Sequence, residues 1–168
     1  MKKRIERLRL YISLFVINHF LKGTRFYKAK RMLLNHCKGI FVGENSKIVG
    51  PISVFGELTV GCNVWIGRNF AVEGNGAVKI ENNCDLAPNI TIYTGTHEIG
   101  NETRRAGPGI SRAVVIKQGS WICGSTIILP NVTIGAGTVV GAGSVVVSDT
   151  SDNTLVAGNP AVIKKQLI

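Results

Sequence analysis

The stretch IKQGSWICGSTIILPNVTIGAGTVVGAGSVV, residues 116–146, carries an aliphatic residue at every sixth position: Ile116, Ile122, Ile128, Ile134, Val140 and Val146. Four residues after these rungs stand Ser120, Thr126, Val132, Thr138 and Ser144, all small or branched. A period of six fits neither a helix nor a sandwich strand, which alternates every second residue between turns of varied length. It fits a chain that lays down one short strand and one turn per unit, so that three units close a triangular coil of about eighteen residues. One such coil alone buries nothing. Stacked coils set each aliphatic rung above the one below and let backbone amides pair from coil to coil.

Towards the N-terminus the same period runs through Val42, Ile48, Val54, Val60, Ile66 and Val72, with Ser46, Ile52 and Val64 in the small positions. It resumes through Ile80, Leu86 and Ile92, with Cys84 and Thr96 as the small residues. Between the two runs the register slips by two residues at Gly74-Asn75-Gly76, which an outward bulge absorbs because glycine tolerates the backbone angles needed. The rungs amount to about five coils, near the size of one domain.

The register then breaks from Glu98 to Val115, a run that holds Arg104, Arg105, Gly107, Pro108 and Gly109, and it returns in phase. Loops longer than about twelve to fifteen residues without structure of their own are commonly functional or disordered. This one begins just after His97, so an extended functional loop is expected there. A short C-terminal helix is expected after the last ladder.

The 168 residues hold 20 Lys plus Arg against 10 Asp plus Glu, a net charge of +10, and 20 glycines, which suits a fold made of turns. Four cysteines, at 37, 62, 84 and 123, show no paired or metal-like spacing and read as reduced thiols. Cys84 falls on a small interior position, and Cys62 and Cys123 lie near turns, where each serves as a small hydrophobe. The rival reading is a nucleophile, which needs a neighbouring cation or histidine, and only His97 lies within the repeats.

Residues 1–39 differ in kind from the repeat domain at 40–168. Lys2, Lys3, Arg4, Arg7 and Arg9 precede an apolar stretch from Leu10 to Leu21, and Lys22, Arg25, Lys28, Lys30 and Arg31 follow. The segment is helical in pattern. Its apolar run is too short to span a bilayer, and no small-residue cleavage site follows it. Two readings stand: a cap over the open end of the repeat stack, and attachment of residues 1–31 to an anionic membrane surface. Nucleic acid is not expected, since no basic stripe is interleaved with aromatics.

The blocks Asp85-Leu86-Ala87-Pro88-Asn89-Ile90-Thr91-Ile92-Tyr93-Thr94-Gly95-Thr96-His97, Trp121-Ile122-Cys123-Gly124, Leu129-Pro130-Asn131-Val132-Thr133-Ile134-Gly135, Gly141-Ala142-Gly143-Ser144-Val145-Val146 and Ala157-Gly158-Asn159-Pro160-Ala161 together resemble the hexapeptide acetyltransferases of the maltose and galactoside type. The likeness spans roughly residues 40 to 166. The branch it resembles most in its basic N-terminal lead is the O-acetyltransferases of bacterial surface polysaccharides. The resemblance implies a left-handed parallel β-helix, a homotrimer, and active sites between neighbouring prisms with acetyl-CoA stretched along the groove. It implies no metal.

Carried onto this chain, the resemblance makes His97 the general base, taking a proton from an acceptor hydroxyl that attacks the thioester; imidazole suits proton transfer near neutrality. Glu102 is the candidate for orienting that ring, a backbone carbonyl being the alternative, because Pro108-Gly109 stands where the family often has an acid. The Gly124 N–H matches the family's oxyanion donor. Trp121 lies between Ser120 and the rung Ile122 and so points outward, towards the groove for cofactor and acceptor or towards a subunit contact. Asn69 is a further acceptor-binding candidate, although Gly67 occupies the better-matched position. For the coenzyme the candidates are Trp121, Gly124, Ala142, Val147, Ser148, Pro160, Lys164 and Lys165, the two lysines facing its phosphates unless they form a solvated tail. Val147 and Ser148 stand where the family has a lysine.

The same prism serves zinc hydratases, whose chemistry needs three histidine ligands; His19 and His36 lie outside the repeats, which excludes that chemistry. An inert scaffold has no use for His97 and its loop. The expected function is an acetyl-CoA-dependent O-acetyltransferase acting on a sugar or glycan hydroxyl in surface polysaccharide assembly, cytoplasmic and peripheral to the membrane's inner face. The alternatives are N-acetylation of an amino sugar nucleotide and a non-enzymatic scaffold.

Overall fold

The computed structural model describes residues 2–168; Met1 and the side chains of Lys2 and Lys3 lie outside the described part. Two helices, α1 (Lys2–His19) and α2 (Tyr27–Asn35), come first. Five complete coils follow, each of three strands. The first coil holds β1 (Ile40–Val42), β2 (Lys47–Ile48) and β3 (Ile52–Val54); the second holds β4 (Glu57–Val60), β5 (Trp65–Ile66) and β6 (Phe70–Glu73). The third is β7 (Ala77–Ile80), β8 (Asp85–Leu86) and β9 (Thr91–Tyr93). After a hairpin of β10 (Gly95–Ile99) and β11 (Ala106–Ser111) come β12 (Val114–Ile116), β13 (Trp121–Ile122) and β14 (Ile127–Ile128), then β15 (Thr133–Ile134), β16 (Val139–Val140) and β17 (Val145–Val146). A sixth turn opens with β18 (Thr154–Gly158), and β19 (Ala161–Gln166) ends the chain.

Strands of like position stack into three parallel walls of a triangular prism. The first wall runs β1-β4-β7-β12-β15, the second β2-β5-β8-β13-β16-β18-β19, the third β3-β6-β9-β14-β17. The pairing follows the six-residue period: Val42 faces Val60, Val60 faces Ile80, Ile80 faces Ile116 and Ile116 faces Ile134. Every one of these rungs is buried. The parallel β-helix read from the repeats is the fold observed, with about six turns in place of five.

Hydroxyls occupy the interior because each finds a carbonyl at once. Ser46 Oγ donates to Gly61 O at 2.7 Å, Thr126 Oγ1 to Cys123 O at 2.7 Å, and Ser120 Oγ to Lys117 O and Gly135 O, both at 2.8 Å. No buried polar side-chain atom among the described residues lacks a partner, which burial in an apolar core demands. The corners take left-handed backbone at Asn45, Asn63, Asn83 and Asn153, and again at Asn69 and Asn89, residues that adopt this conformation at small cost.

The N-terminal helices close the first coil, and they do so wall by wall. Asn35 accepts from Val42 N–H at 2.7 Å and donates to Val42 O at 3.0 Å, continuing the ladder of the first wall. Asn18 makes the same two-way contact with Ile52, at 2.9 and 2.8 Å, on the third wall. On the second wall Lys30 Nζ donates to Ile48 O at 2.9 Å, Val49 O at 2.8 Å and Gly23 O at 2.6 Å. The capping reading of the segment therefore describes the inner side of these helices, where Ile17 and Leu34 are fully buried. Lys30 corrects the sequence picture of an outward basic flank: it is 0% exposed, and burial pushes its ammonium below the usual lysine range.

Three further expectations are corrected. The C-terminal segment is not a helix: β19 folds back antiparallel on β18, pairing Val156 with Ile163 and Leu155 with Lys165. An open edge strand requires a partner for its backbone, and Val162 and Ile163 are β-branched residues suited to supply one. The break at 98–115 is not an irregular loop but the antiparallel β10–β11 hairpin, and Val114–Ile116 already belongs to the first wall. Consequently Thr96 does not fill an interior position; Thr94, fully buried, does, because the chain leaves the prism one residue later.

Candidate functional site

The hairpin leaves the prism at the corner where β9 of the third wall would turn into β12 of the first. Thr94 anchors the exit: its N–H and its hydroxyl both donate to Glu73 O, at 2.7 and 3.0 Å, and its hydroxyl accepts from Gly76 N–H at 3.1 Å. The return is fixed by Arg112 N–H donating to Thr94 O at 2.8 Å. The two-residue slip one coil earlier now has a cause. Gly74 has φ +101°, and a Cβ on it would lie 2.5 Å from Gly95 N; one on Gly76 would lie 2.6 Å from Arg112 O. The Gly-Asn-Gly turn makes room for both strands of the hairpin.

Within the hairpin His97 pairs with Gly109, and the register shifts between His97 and Ile99. Such a bulge re-aims a side chain, and here it sits at the imidazole. Nδ1 lies 2.8 Å from Gly107 O. A carbonyl only accepts, so Nδ1 carries a proton, and in the neutral ring this leaves the lone pair on Nε2, the tautomer a general base requires. Gly109 keeps the space beside the ring open: a Cβ there would lie 3.8 Å from His97 Cε1. The group that orients His97 is thus the Gly107 carbonyl. Glu102 lies exposed in the turn between β10 and β11 and makes no hydrogen bond with His97. Sequence alone does not mark Gly107 and Gly109 as site residues; the Gly-Pro-Gly run in a strand-length segment is the signal it offers.

The other candidates lie elsewhere on the prism. Trp121 projects from β13 of the second wall and is 53% exposed. Gly124 and Ala142 lie one coil apart at the corner between the second and third walls, and Gly124 N–H has no backbone acceptor among the described residues. Pro160 lies in the turn between β18 and β19, and Lys164 and Lys165 lie exposed on β19 at the end of the second wall. Val147 and Ser148 follow β17 at the hairpin's own corner. Asn69 is engaged at its corner, donating through Nδ2 to Asn89 Oδ1 at 2.8 Å. In a triangular cross-section the second wall is opposite the corner that bears the hairpin. One chain therefore does not bring His97 together with Trp121, Gly124 or the lysines.

The cysteines are quiet. Cys84 is buried and donates to Lys117 O at 3.2 Å, and burial pushes its thiol up, as it does that of Cys123. Among the described residues no group of three His, Cys, Asp or Glu side chains is placed to hold a metal ion.

The chain is similar to known proteins. The galactoside O-acetyltransferase of Escherichia coli is 34% identical over 132 residues, 75% of this chain and 63% of that protein. A Staphylococcus aureus protein placed among the acetyltransferases is 34% identical over 150 residues, 80% of this chain and 75% of its own length. The chain belongs to the hexapeptide-repeat acetyltransferases. A solved member from Vibrio cholerae, in complex with acetyl-CoA, superposes with a TM-score of 0.83 at 26% identity, covering 100% of this chain and 90% of that one. No protein-family model matches the chain. The chain spans less than two thirds of the length of the galactoside O-acetyltransferases it matches.

Proposed function

We propose that the chain is an acetyl-CoA-dependent O-acetyltransferase that esterifies a sugar hydroxyl in the assembly of a surface polysaccharide, working in the cytoplasm as a homotrimer. The observation that carries this reading is the His97 ring, its Nδ1–H tied to Gly107 O and its Nε2 open to solvent beside the prism. Nε2 removes the proton of the acceptor hydroxyl as that oxygen attacks the thioester carbonyl. The C–S bond then breaks, the thiolate takes up the proton, and an acetyl ester and free coenzyme A leave. The Gly124 N–H is the donor for the developing oxyanion, a contribution worth about 3 kcal/mol in comparable sites.

The opposed placement of the hairpin and the second wall supports a site shared between copies. His97 of one chain meets Trp121, Gly124 and the coenzyme-facing surface of its neighbour, and Ala142, Pro160, Lys164 and Lys165 continue that surface towards the C-terminus. Lysines there suit the phosphates of the coenzyme. N-acetylation of an amino sugar nucleotide stays the second reading, since the same base and oxyanion donor serve an amine.

A peripheral membrane contact is proposed for the outer side of α1. Leu8, Tyr11, Ile12 and Phe15 are exposed at helical spacing beside exposed Arg4, Arg7 and Arg9, a combination suited to an anionic headgroup layer. No helix among the described residues is long and apolar enough to cross a membrane.

The deciding experiment follows free thiol from acetyl-CoA with a panel of sugars, nucleotide sugars and glycan fragments, for the intact chain and His97→Ala. Release that needs both His97 and one acceptor is expected. An intact chain that binds no acetyl-CoA overturns the reading.

A further inference from the structure

On the outer side of the second wall Trp121 heads a column whose other two members, Asp85 and Trp65, no role above accounts for. In β5, β8 and β13 the register sets Trp65 beside Asp85 and Asp85 beside Trp121, while their neighbours Ile66, Leu86 and Ile122 fill the core. Adjacent strands lie about 4.8 Å apart, so the carboxylate stands one step from each indole. The three side chains, with Leu86 and Ala87, line a shallow cavity. Tyr27 packs near Trp65 in a tilted arrangement, their ring centroids 6.2 Å apart.

Asp85 is the anomaly in this column. In a chain of net charge +10 its carboxylate has no hydrogen bond and no ion pair among the described residues. Trp65 and Trp121 flank it on the neighbouring strands, and neither makes a hydrogen bond to it. Asp85 is exposed and its carboxylate is held by no protein group among the described residues, so both oxygens are free to accept from a ligand seated between the two indoles. Its complement is a flat molecule with C–H faces for the indoles and O–H donors for the carboxylate. A pyranose ring has both. The phosphates of a coenzyme have neither, and the carboxylate repels them.

Resting on the transferase reading, we propose that Trp65, Asp85 and Trp121 form the acceptor subsite, which seats a pyranose with two hydroxyls donating to Asp85 and a ring face against an indole. The layout follows the wall. The coenzyme-facing candidates Ala142, Pro160, Lys164 and Lys165 lie on the C-terminal side of Trp121, and Asp85 and Trp65 lie on its N-terminal side. Donor and acceptor thus approach Trp121 from opposite ends of one wall, and the neighbour's His97 meets them at the junction.

The test is equilibrium sugar binding without acetyl-CoA, read by tryptophan fluorescence and by saturation-transfer NMR, with methyl glucosides, galactosides and N-acetylglucosaminides as probes. At least one sugar is expected to bind saturably. Asp85→Asn, close in shape and at an exposed position, and Trp65→Ala should each weaken it about tenfold or more, as loss of a recognised hydroxyl contact does. Acetyl-CoA affinity, measured separately by calorimetry, should stay within about twofold of wild type. In turnover Asp85→Asn should raise the acceptor KM with little change in kcat. Binding equal in wild type and Asp85→Asn overturns the subsite, as does a panel in which no sugar binds. Either result leaves acetyl-CoA binding and His97-dependent thiol release standing, so a failed subsite is told apart from a failed transferase.

Discussion

Gly107 O accepts the Nδ1–H of His97 across the hairpin at 2.8 Å, two residues from the glycine that pairs with the histidine. Orientation and tautomer are therefore set by main chain, which a side-chain substitution does not remove. His97→Ala should lower kcat by about two to four orders of magnitude, the range for loss of a general base, with fold and acetyl-CoA affinity unchanged. Glu102→Gln should leave kcat within about threefold, because the ring is already held. Steady-state kinetics on the two variants checks both.

Mixing inactive variants tests the shared site. His97→Ala supplies an intact second wall, and Trp121→Ala supplies an intact hairpin. Random co-assembly of equal amounts should restore about a quarter of the sites, each built from two good halves, in a closed ring of identical chains. Activity that stays at the sum of the separate variants would show that each chain works alone.

Lys30 is testable by stability. Lys30→Met removes the ammonium donor from Ile48 O, Gly23 O and Val49 O, of which Val49 O keeps the Gly23 N–H, and should cost on the order of 3 kcal/mol in urea unfolding. The cost should also depend on pH. Burial lowers the folded pKa of Lys30, so the unfolded chain binds more protons between that lowered value and the ordinary lysine value of about 10.4. Wild-type stability relative to the variant should rise with pH through that window and level off above it. The buried Cys84 thiol is common to both chains and cancels in the difference.

Gly74→Ala places a Cβ 2.5 Å from Gly95 N at a residue with φ +101°. The expected result is destabilisation of about 1 to 3 kcal/mol together with lost turnover, since the strain falls where the hairpin leaves the prism. Ala113→Gly, at the return, should leave activity intact. Thermal unfolding and thiol release, measured side by side, check the pair.

The prism was legible because a period of six repeats its demand on every coil. Ile116, Ile122 and Ile128 say the same thing three times, and the stacked partners confirm it. The hairpin was legible only as an interruption. Gly109 pairs with His97 and Gly107 O holds its ring once in the whole chain, with no repeat to reveal either contact. Lys30 misled for a related reason. In sequence it is one cation among several, and its burial depends on carbonyls at residues 48 and 49, which the fold alone brings to it. The terminal strand was missed because Lys164 and Lys165 suit a helix end as readily as an exposed strand, and the free edge of β18 decided between them.

Asn35, Lys30 and Asn18 also answer a hazard inherent in stacked coils. A solenoid ends in unsatisfied backbone that copies the lattice of an amyloid fibril, and any second solenoid offers the matching set. Here the N-terminal helices present to the first coil amide and ammonium groups that mimic one more layer of chain but lead nowhere, and β19 closes the second wall at the far end. Three side chains at one end of the rod and a fold-back strand at the other thus take up backbone edges on which a second rod would otherwise build.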